Sequence, residues 1–201
     1  AEQCRVINAM NGYSDFTVTV NMSPKQLKQK DIVARTLAIL DDSGVDLGNI
    51  IISINETNAL TDYEKMVQVC REFKKAGIKT ALNYFGSGSA SFINLREIPM
   101  DIIKVSPKYV SDIDDRFTAS LLRLISELSH SSGKIVCMNG VETDSEYANC
   151  KKVGADWVQG FLFPRPRNAD TLQSILFKRI TGCSLYPSYA ADALPWLGFS
   201  R

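Results

Sequence analysis

The sequence predicts an α/β protein built as an incomplete parallel (β/α) barrel. Three observations carry that expectation. Short runs rich in Val and Ile alternate with helical patterns, most of those runs are continuously apolar, and glycines fall just past the helix ends. Continuous apolar runs suit parallel strands buried on both faces. Polar residues then follow each run, and the C-terminal ends of strands are where α/β folds carry their chemistry.

Taken in order, the chain opens with AEQCRVINAMNGY, which reads as a chain entered mid-helix and lacks a signal-peptide core. The first strand is expected at 16–20 and the first long helix at 24–43, where Ser23 offers a capping hydroxyl and Pro24 the first helical position. A strand at 50–54 leads to a helix at 62–76, opened by a capping box between Thr61 and Glu64. Strands at 79–82, 102–105, 134–138 and 157–162 follow, with helices at 89–96, 107–131, 145–153 and 169–180. Gly44, Gly77, Gly133, Gly154 and Gly182 stand just past helix ends, the position where a left-handed residue closes a helix. One domain is expected over 1–182. The tail 183–201 carries Tyr186, Tyr189, Trp196 and Phe199 without a helical period. It reads as docking on its own domain or as a surface for another domain or partner chain.

Composition narrows the class. Of 201 residues 45% are apolar and 22% charged, an ordinary globular balance. The net charge of +1 supplies no field for a nucleic-acid polymer or a membrane surface, and no apolar run approaches a membrane span. Cys4, Cys70, Cys137, Cys150 and Cys183 are scattered and include no Cys-x-x-Cys pair. A disulfide framework or zinc knuckle is therefore not expected, and a reducing cytosol is. Cys70 and Cys137 read as core residues.

The rim formed by the strand ends is Asn21, Asn55-Glu56, Asn83-Tyr84, Lys104, Asn139 with Glu142, and Gln159, with a loop Gly86-Ser87-Gly88-Ser89 between two of them. Its only carboxylates are Glu56 and Glu142. Such a rim suits hydrogen bonding to a polar ligand, but it suits a hard divalent ion poorly. Each residue also has a purely structural reading. Asn21 can cap a turn, Glu56 can brace backbone amides, Lys104 can pair with an acid, and Gln159-Gly160 can be a strand turn. His130 reads as a solvated or capping residue near a helix end. Arg165 and Arg167 read as an exposed loop pair, with phosphate contact the sharper alternative.

Several motifs resemble the EAL domain family of bacterial cyclic di-GMP phosphodiesterases and their non-catalytic relatives. Val20-Asn21-Met22-Ser23-Pro24 is similar to the family's V-N-L-S-P, and Ile52-Ser53-Ile54-Asn55-Glu56 stands at its L-E-I-T-E. Ala81-Leu82-Asn83-Tyr84-Phe85-Gly86-Ser87-Gly88 resembles A-L-D-D-F-G-T-G, and Lys104-Val105-Ser106 resembles K-I-D. Asn139-Gly140-Val141-Glu142-Thr143 and Val158-Gln159-Gly160-Phe161-Leu162-Phe163 stand at E-G-V-E-T and V-Q-G-Y-L-F. The order is right, and the resemblance covers the chain to about residue 181.

The resemblance implies an EAL-type modified (β/α)8 TIM-like barrel, here without its N-terminal strand, whose strand ends bind cyclic di-GMP. In active relatives carboxylates and an asparagine hold Mg²⁺ or Mn²⁺, and an activated water cleaves one phosphodiester. Position by position, Asn21 keeps the asparagine ligand, while Ser53 replaces a metal-binding glutamate. Asn83 and Tyr84 replace the aspartate pair, and Asn139 replaces the glutamate treated as general base. Glu56, Lys104, Glu142 and Gln159 are kept. The E-A-L motif, with a further metal glutamate and a nucleotide-gripping arginine, is expected to precede residue 1.

Asp→Asn removes the anionic oxygen a metal needs, and Asn139 accepts no proton at neutral pH. Tyr84 sets a ring where a small acid stood, able to fill the cation site or stack on a guanine. The expectation is a catalytically inactive regulatory domain of bacterial cyclic di-GMP signalling, with no resident cofactor. It would act as a nucleotide sensor or a protein-interaction module. The candidate ligand-binding residues are Asn21, Glu56, Tyr84, Lys104, Glu142 and Gln159. The alternative is an active Mg²⁺- or Mn²⁺-dependent phosphodiesterase yielding linear pGpG. Expected partners are cyclic di-GMP, a protein or an upstream signalling domain such as GGDEF, and a second copy of the chain. The expected location is cytoplasmic, as a free protein or as the cytoplasmic part of a membrane-anchored one. A barrel lacking a strand exposes two edges, which another segment or subunit would cover.

Overall fold

The computed structural model describes residues 1–9, 16–56, 62–87, 94–163 and 171. Six parallel strands pair in sequence order: β1 (Val18–Met22), β2 (Ile50–Asn55), β3 (Lys79–Phe85), β4 (Ile102–Val105), β5 (Ile135–Asn139) and β6 (Trp157–Gln159). They curl into an open half-barrel with helices between them. Among the described residues β1 and β6 are its two edges.

The two faces of the sheet bury different chemistry, because successive strand residues point to opposite sides. On the helix-covered face Ile50, Ile52, Ile54, Leu82, Phe85, Ile103, Val105, Val136 and Met138 join the main core. On the other face Ile51, Ala81, Ile102 and Cys137 form a separate small cluster, with Ile135 and Trp157 against it. The residues next along that second face are Ser53, Asn83, Lys104 and Asn139, all buried. The inner face is thus apolar at its base and polar toward the strand C-termini.

The helices are α1 (Glu2–Asn8), α2 (Pro24–Leu27), α3 (Ile32–Asp42), α4 (Tyr63–Lys75), α5 (Asn94–Glu97), α6 (Pro107–Ser111), α7 (Arg116–Ser131) and α8 (Asp144–Lys152). Two segments expected as single helices are divided. Residues 24–43 break between α2 and α3, because the buried Leu27 and Ile32 are five residues apart and the run between them is polar. Residues 107–131 break at 112–115, where Asp115 caps α7 by accepting from the Thr118 N–H at 2.9 Å. Ser23 caps α2 in a full capping box with Gln26. The cap of α4 is Asp62, accepting from the Lys65 N–H, and not the expected Thr61, which lies outside the described residues.

Strand ends also differ from expectation. β1 runs to Met22, β2 to Asn55, β3 to Phe85 and β5 to Asn139, so several rim residues are strand residues rather than loop residues. β6 is shorter than the expected 157–162. The Gln159 carbonyl accepts from both Gly140 N–H and Val141 N–H, and Leu162 N–H donates to the Val141 carbonyl. A Cβ on Gly160 would collide with the Val141 backbone, so the chain leaves the strand at the one residue small enough to pass.

A repeated clamp closes the opposite end of the sheet. Asp101, just before β4, accepts from the Thr80 N–H of β3 at 2.9 Å and pairs with Lys74 near the end of α4 at 2.8 Å. Asp156, just before β6, accepts from the Val136 N–H of β5 at 2.7 Å and pairs with His130 near the end of α7 at 2.8 Å. His130 is therefore a member of a clamp, not simply a solvated or capping residue. Between them the buried Lys134 donates to the carbonyls of Ile98 and Met100 at 2.7 and 2.9 Å.

Cys4, Cys70, Cys137 and Cys150 are buried free thiols. No described helix is long and apolar enough to cross a membrane. The helix expected at 169–180 (apart from Thr171), Gly88, Ser89, Arg165, Arg167, Gly182, Cys183 and the tail 183–201 lie outside the described residues.

Candidate functional site

The polar end of the inner face is organised by a ladder of side-chain amides. Asn139 on β5 donates through Nδ2 to Asn83 Oδ1 on β3 at 3.0 Å, and Asn83 Nδ2 donates to Asn55 Oδ1 on β2 at 3.4 Å. Asn83 Oδ1 also accepts from the Tyr84 N–H at 3.1 Å, and Asn139 Oδ1 receives the Cys137 thiol at 3.7 Å. Neutral donors and acceptors thus satisfy one another across three strands, without mutual repulsion. Asn55 and Asn83 are direct neighbours in the β2–β3 register, which explains their contact.

Lys104 lies on the same face, 4% exposed, opposite Cys137 in the β4–β5 register. Burial pushes its ammonium below the ordinary lysine range, with the Cys137 thiol a smaller opposing influence. No hydrogen bond or ion pair engages it among the described residues, so the acid pairing that would give it a purely structural role is not found there. The Cys137 thiol is pushed up to about 11, mainly by burial, and stays protonated at neutral pH. Ser53, 1% exposed, has a hydroxyl without a hydrogen-bond partner among the described residues.

β3 ends in an irregularity. Its register with β4 shifts between Leu82 and Phe85, and within that step Tyr84 takes φ +60°. A left-handed non-glycine residue is uncommon, and its cost is on the order of 1–3 kcal/mol. The bulge leaves Tyr84 43% exposed. Behind it the buried Glu56 accepts from Ser87 Oγ at 3.4 Å, and Tyr109 on α6 donates to the Gly86 carbonyl at 3.0 Å. The start of the glycine loop is held from both sides.

The remaining candidates divide. Asn21 is exposed on the edge strand β1, level with Ser53 of β2. Gln159 is the register partner of Asn139. Glu142 is exposed before α8, where its N–H donates to Glu146 Oε2 at 2.6 Å; among the described residues no hydrogen bond or ion pair joins it to the ladder. Asn55 and Tyr109 were not singled out by sequence reasoning as ligand or loop-holding residues. Asn55 was nevertheless visible in the sequence as a second polar strand end beside Glu56.

The donor set does not fit a divalent ion. Amide and hydroxyl oxygens occupy the positions where Mg²⁺ or Mn²⁺ would need anionic ligands. Among the described residues no three His, Cys, Asp or Glu side chains group as metal ligands.

With fold and site in place, comparison with known proteins is specific. The family model for the EAL domain matches residues 1–166, and the chain belongs to the EAL domain family. It is 30% identical over 156 residues to the cyclic di-GMP phosphodiesterase PdeR of Escherichia coli, covering 77% of this chain and 24% of that protein. It is 29% identical over 150 residues to the probable cyclic di-GMP phosphodiesterase PdeA of Escherichia coli, covering 74% of this chain and 21% of that protein. The chain spans about a fifth of the length of the curated relatives it matches. The fold superposes on the PaMucR phosphodiesterase in complex with c-di-GMP at a TM-score of 0.78 and 23% identity, covering 85% of this chain and 69% of that one. Klebsiella pneumoniae BlrP1, in a manganese and cy-diGMP complex, matches at a TM-score of 0.74 and 25% identity, covering 82% and 42%.

Proposed function

We propose that this chain is a non-hydrolysing EAL domain that binds cyclic di-GMP without metal and reports it to the rest of a larger signalling protein. The observation that carries this reading is the Asn139–Asn83–Asn55 ladder beside a buried Lys104 that no acid neutralises among the described residues. Where relatives would concentrate negative charge around a metal, this site has amide groups and one ammonium. A phosphodiester anion matches that set directly, since charge-assisted hydrogen bonds to an ammonium need no bridging ion. The exposed ring of Tyr84 offers a stacking face for a guanine. Asn21, Glu56 and Gln159 complete the proposed ligand set around these two, and Glu142, exposed before α8 and apart from the ladder, is proposed only as an outer contact.

Hydrolysis is not part of the reading. Asn139, at the position of the family's base, takes up no proton at neutral pH, and the donor set recruits no metal to activate water. The tail 183–201 and an upstream domain, such as the GGDEF type, are the proposed routes by which occupancy is passed on, in the cytoplasm.

Calorimetry with cyclic di-GMP, with and without Mg²⁺, and chromatography for pGpG test this. The expected result is the same affinity in both conditions and no linear product. No binding at high micromolar ligand would leave a protein-interaction module. Linear product that disappears on chelation would establish the phosphodiesterase alternative.

A further inference from the structure

A second feature lies in the covalent chemistry of the residue that ends the ladder. Asn139-Gly140 is the one Asn-Gly step among the described residues, and it closes β5. A glycine leaves its nitrogen unhindered, so it attacks a preceding asparagine side-chain amide more readily than a larger residue does. The fold has no alternative to that glycine. Gly140 sits at φ +83°, and a Cβ on it would meet Pro107 at 2.6 Å. Two hydrogen bonds hold the step shut. Asn139, 8% exposed, donates through Nδ2 to Asn83 Oδ1 at 3.0 Å, and the Gly140 N–H donates to the Gln159 carbonyl at 2.7 Å. The second latch has the weaker support. Gln159 ends β6, a strand of three residues at the sheet edge among those described.

We propose that Asn139 is a modification site, converted to an acid by spontaneous cyclisation when the end of β6 peels from β5. Peeling frees the Gly140 nitrogen. That nitrogen loses its proton and bonds to Asn139 Cγ, and the side-chain nitrogen leaves as ammonia, carrying that proton. Water then breaks one of the two ring C–N bonds, leaving aspartate or the isomer whose backbone runs through Cγ. No oxidant or reductant is needed. The product carboxylate has no N–H for Asn83, so the ladder loses its bond from β5 to β3. It also adds a negative charge to the inner face that carries Lys104. Resting on the metal-free nucleotide reading above, that charge repels a phosphodiester, and the conversion switches the site off for the life of the molecule.

Peptide mapping by mass spectrometry on the full chain, aged in the folded state at mildly alkaline pH, tests the proposal. The expected result is acid at 139 in both isomeric forms, while Asn55 and Asn83, followed by Glu56 and Tyr84, stay amides. Two variants locate the opening. Val158→Ala thins the packing of β6, where Val158 is 4% exposed, and Val33→Ala lowers stability from α3, away from β5 and β6. Val158→Ala is expected to speed conversion several-fold, and Val33→Ala to leave it within about twofold. Asn139→Gln, which would have to close a larger ring, is expected to stop it. A folded wild type that keeps its amide while the urea-unfolded chain converts would overturn the proposal, as would equal acceleration by the two valine variants. The consequence is read by calorimetry with cyclic di-GMP on Asn139→Asp against wild type, with lost affinity expected. Unchanged affinity would overturn the switch. A wild type that binds no nucleotide would instead remove the nucleotide reading and leave the mass-spectrometric result standing.

Discussion

Lys104 concentrates the energetics of the site in one residue. Lys104 is a buried residue whose ammonium has no hydrogen-bond or acidic partner among the described residues, and burial disfavours its charged form. Lys104→Met keeps the aliphatic stem and removes the charge that burial disfavours. The variant is expected to be at least as stable as the wild type at pH 7 in urea titrations while losing cyclic di-GMP binding. The pH dependence follows from the direction of the shift. Burial disfavours the charged form, so between the depressed pKa and the ordinary value of 10.5 the unfolded chain holds more protons. Wild-type stability should therefore rise with pH through that window, and the variant should lack that rise. A less stable variant would show that Lys104 has found a counter-charge.

At the level of elements, the clamps at Asp101 and Asp156 explain how successive βα units keep their register. Each carboxylate joins the end of one helix to the backbone of the preceding strand. The two bonds are unequal. Lys74 is 62% exposed, so its ion pair is solvated and screened, whereas the Thr80 N–H sits in a buried strand residue. Lys74→Ala is expected to cost under about 1 kcal/mol, and Asp101→Ala about 1–3 kcal/mol, by chemical denaturation. Equal costs would place the weight on the ion pair instead. Periodicity did not reveal these clamps, because their partners lie 20 or more residues apart. The aspartates precede apolar strands and look like ordinary loop acids.

Across the described residues as a whole, the sheet is open and its edges differ from its centre. β1 and β6 each have one strand neighbour among the described residues, while β3 and β4 have two. Native-state hydrogen exchange is expected to be slowest in β3 and β4 and faster in β1 and β6. Uniform protection across the sheet would mean that another segment or copy covers the edges.

The sequence by itself determined the order of the strands, the family and the loss of acids at Ser53, Asn83, Tyr84 and Asn139. Those follow from local residue types and motif order. It also showed most of the rim, since a polar residue after an apolar run is visible in one dimension. Three things were decided only by tertiary structure. The amide ladder needs the β2–β3 register and a reach from β5 to β3, which no local pattern encodes. The solitude of Lys104 depends on which side chains fold around it, and the separation of Glu142 from the ladder depends on how the chain leaves β5. Polar groups announce themselves along a chain, but whether they satisfy one another or await a ligand is a matter of distances across it.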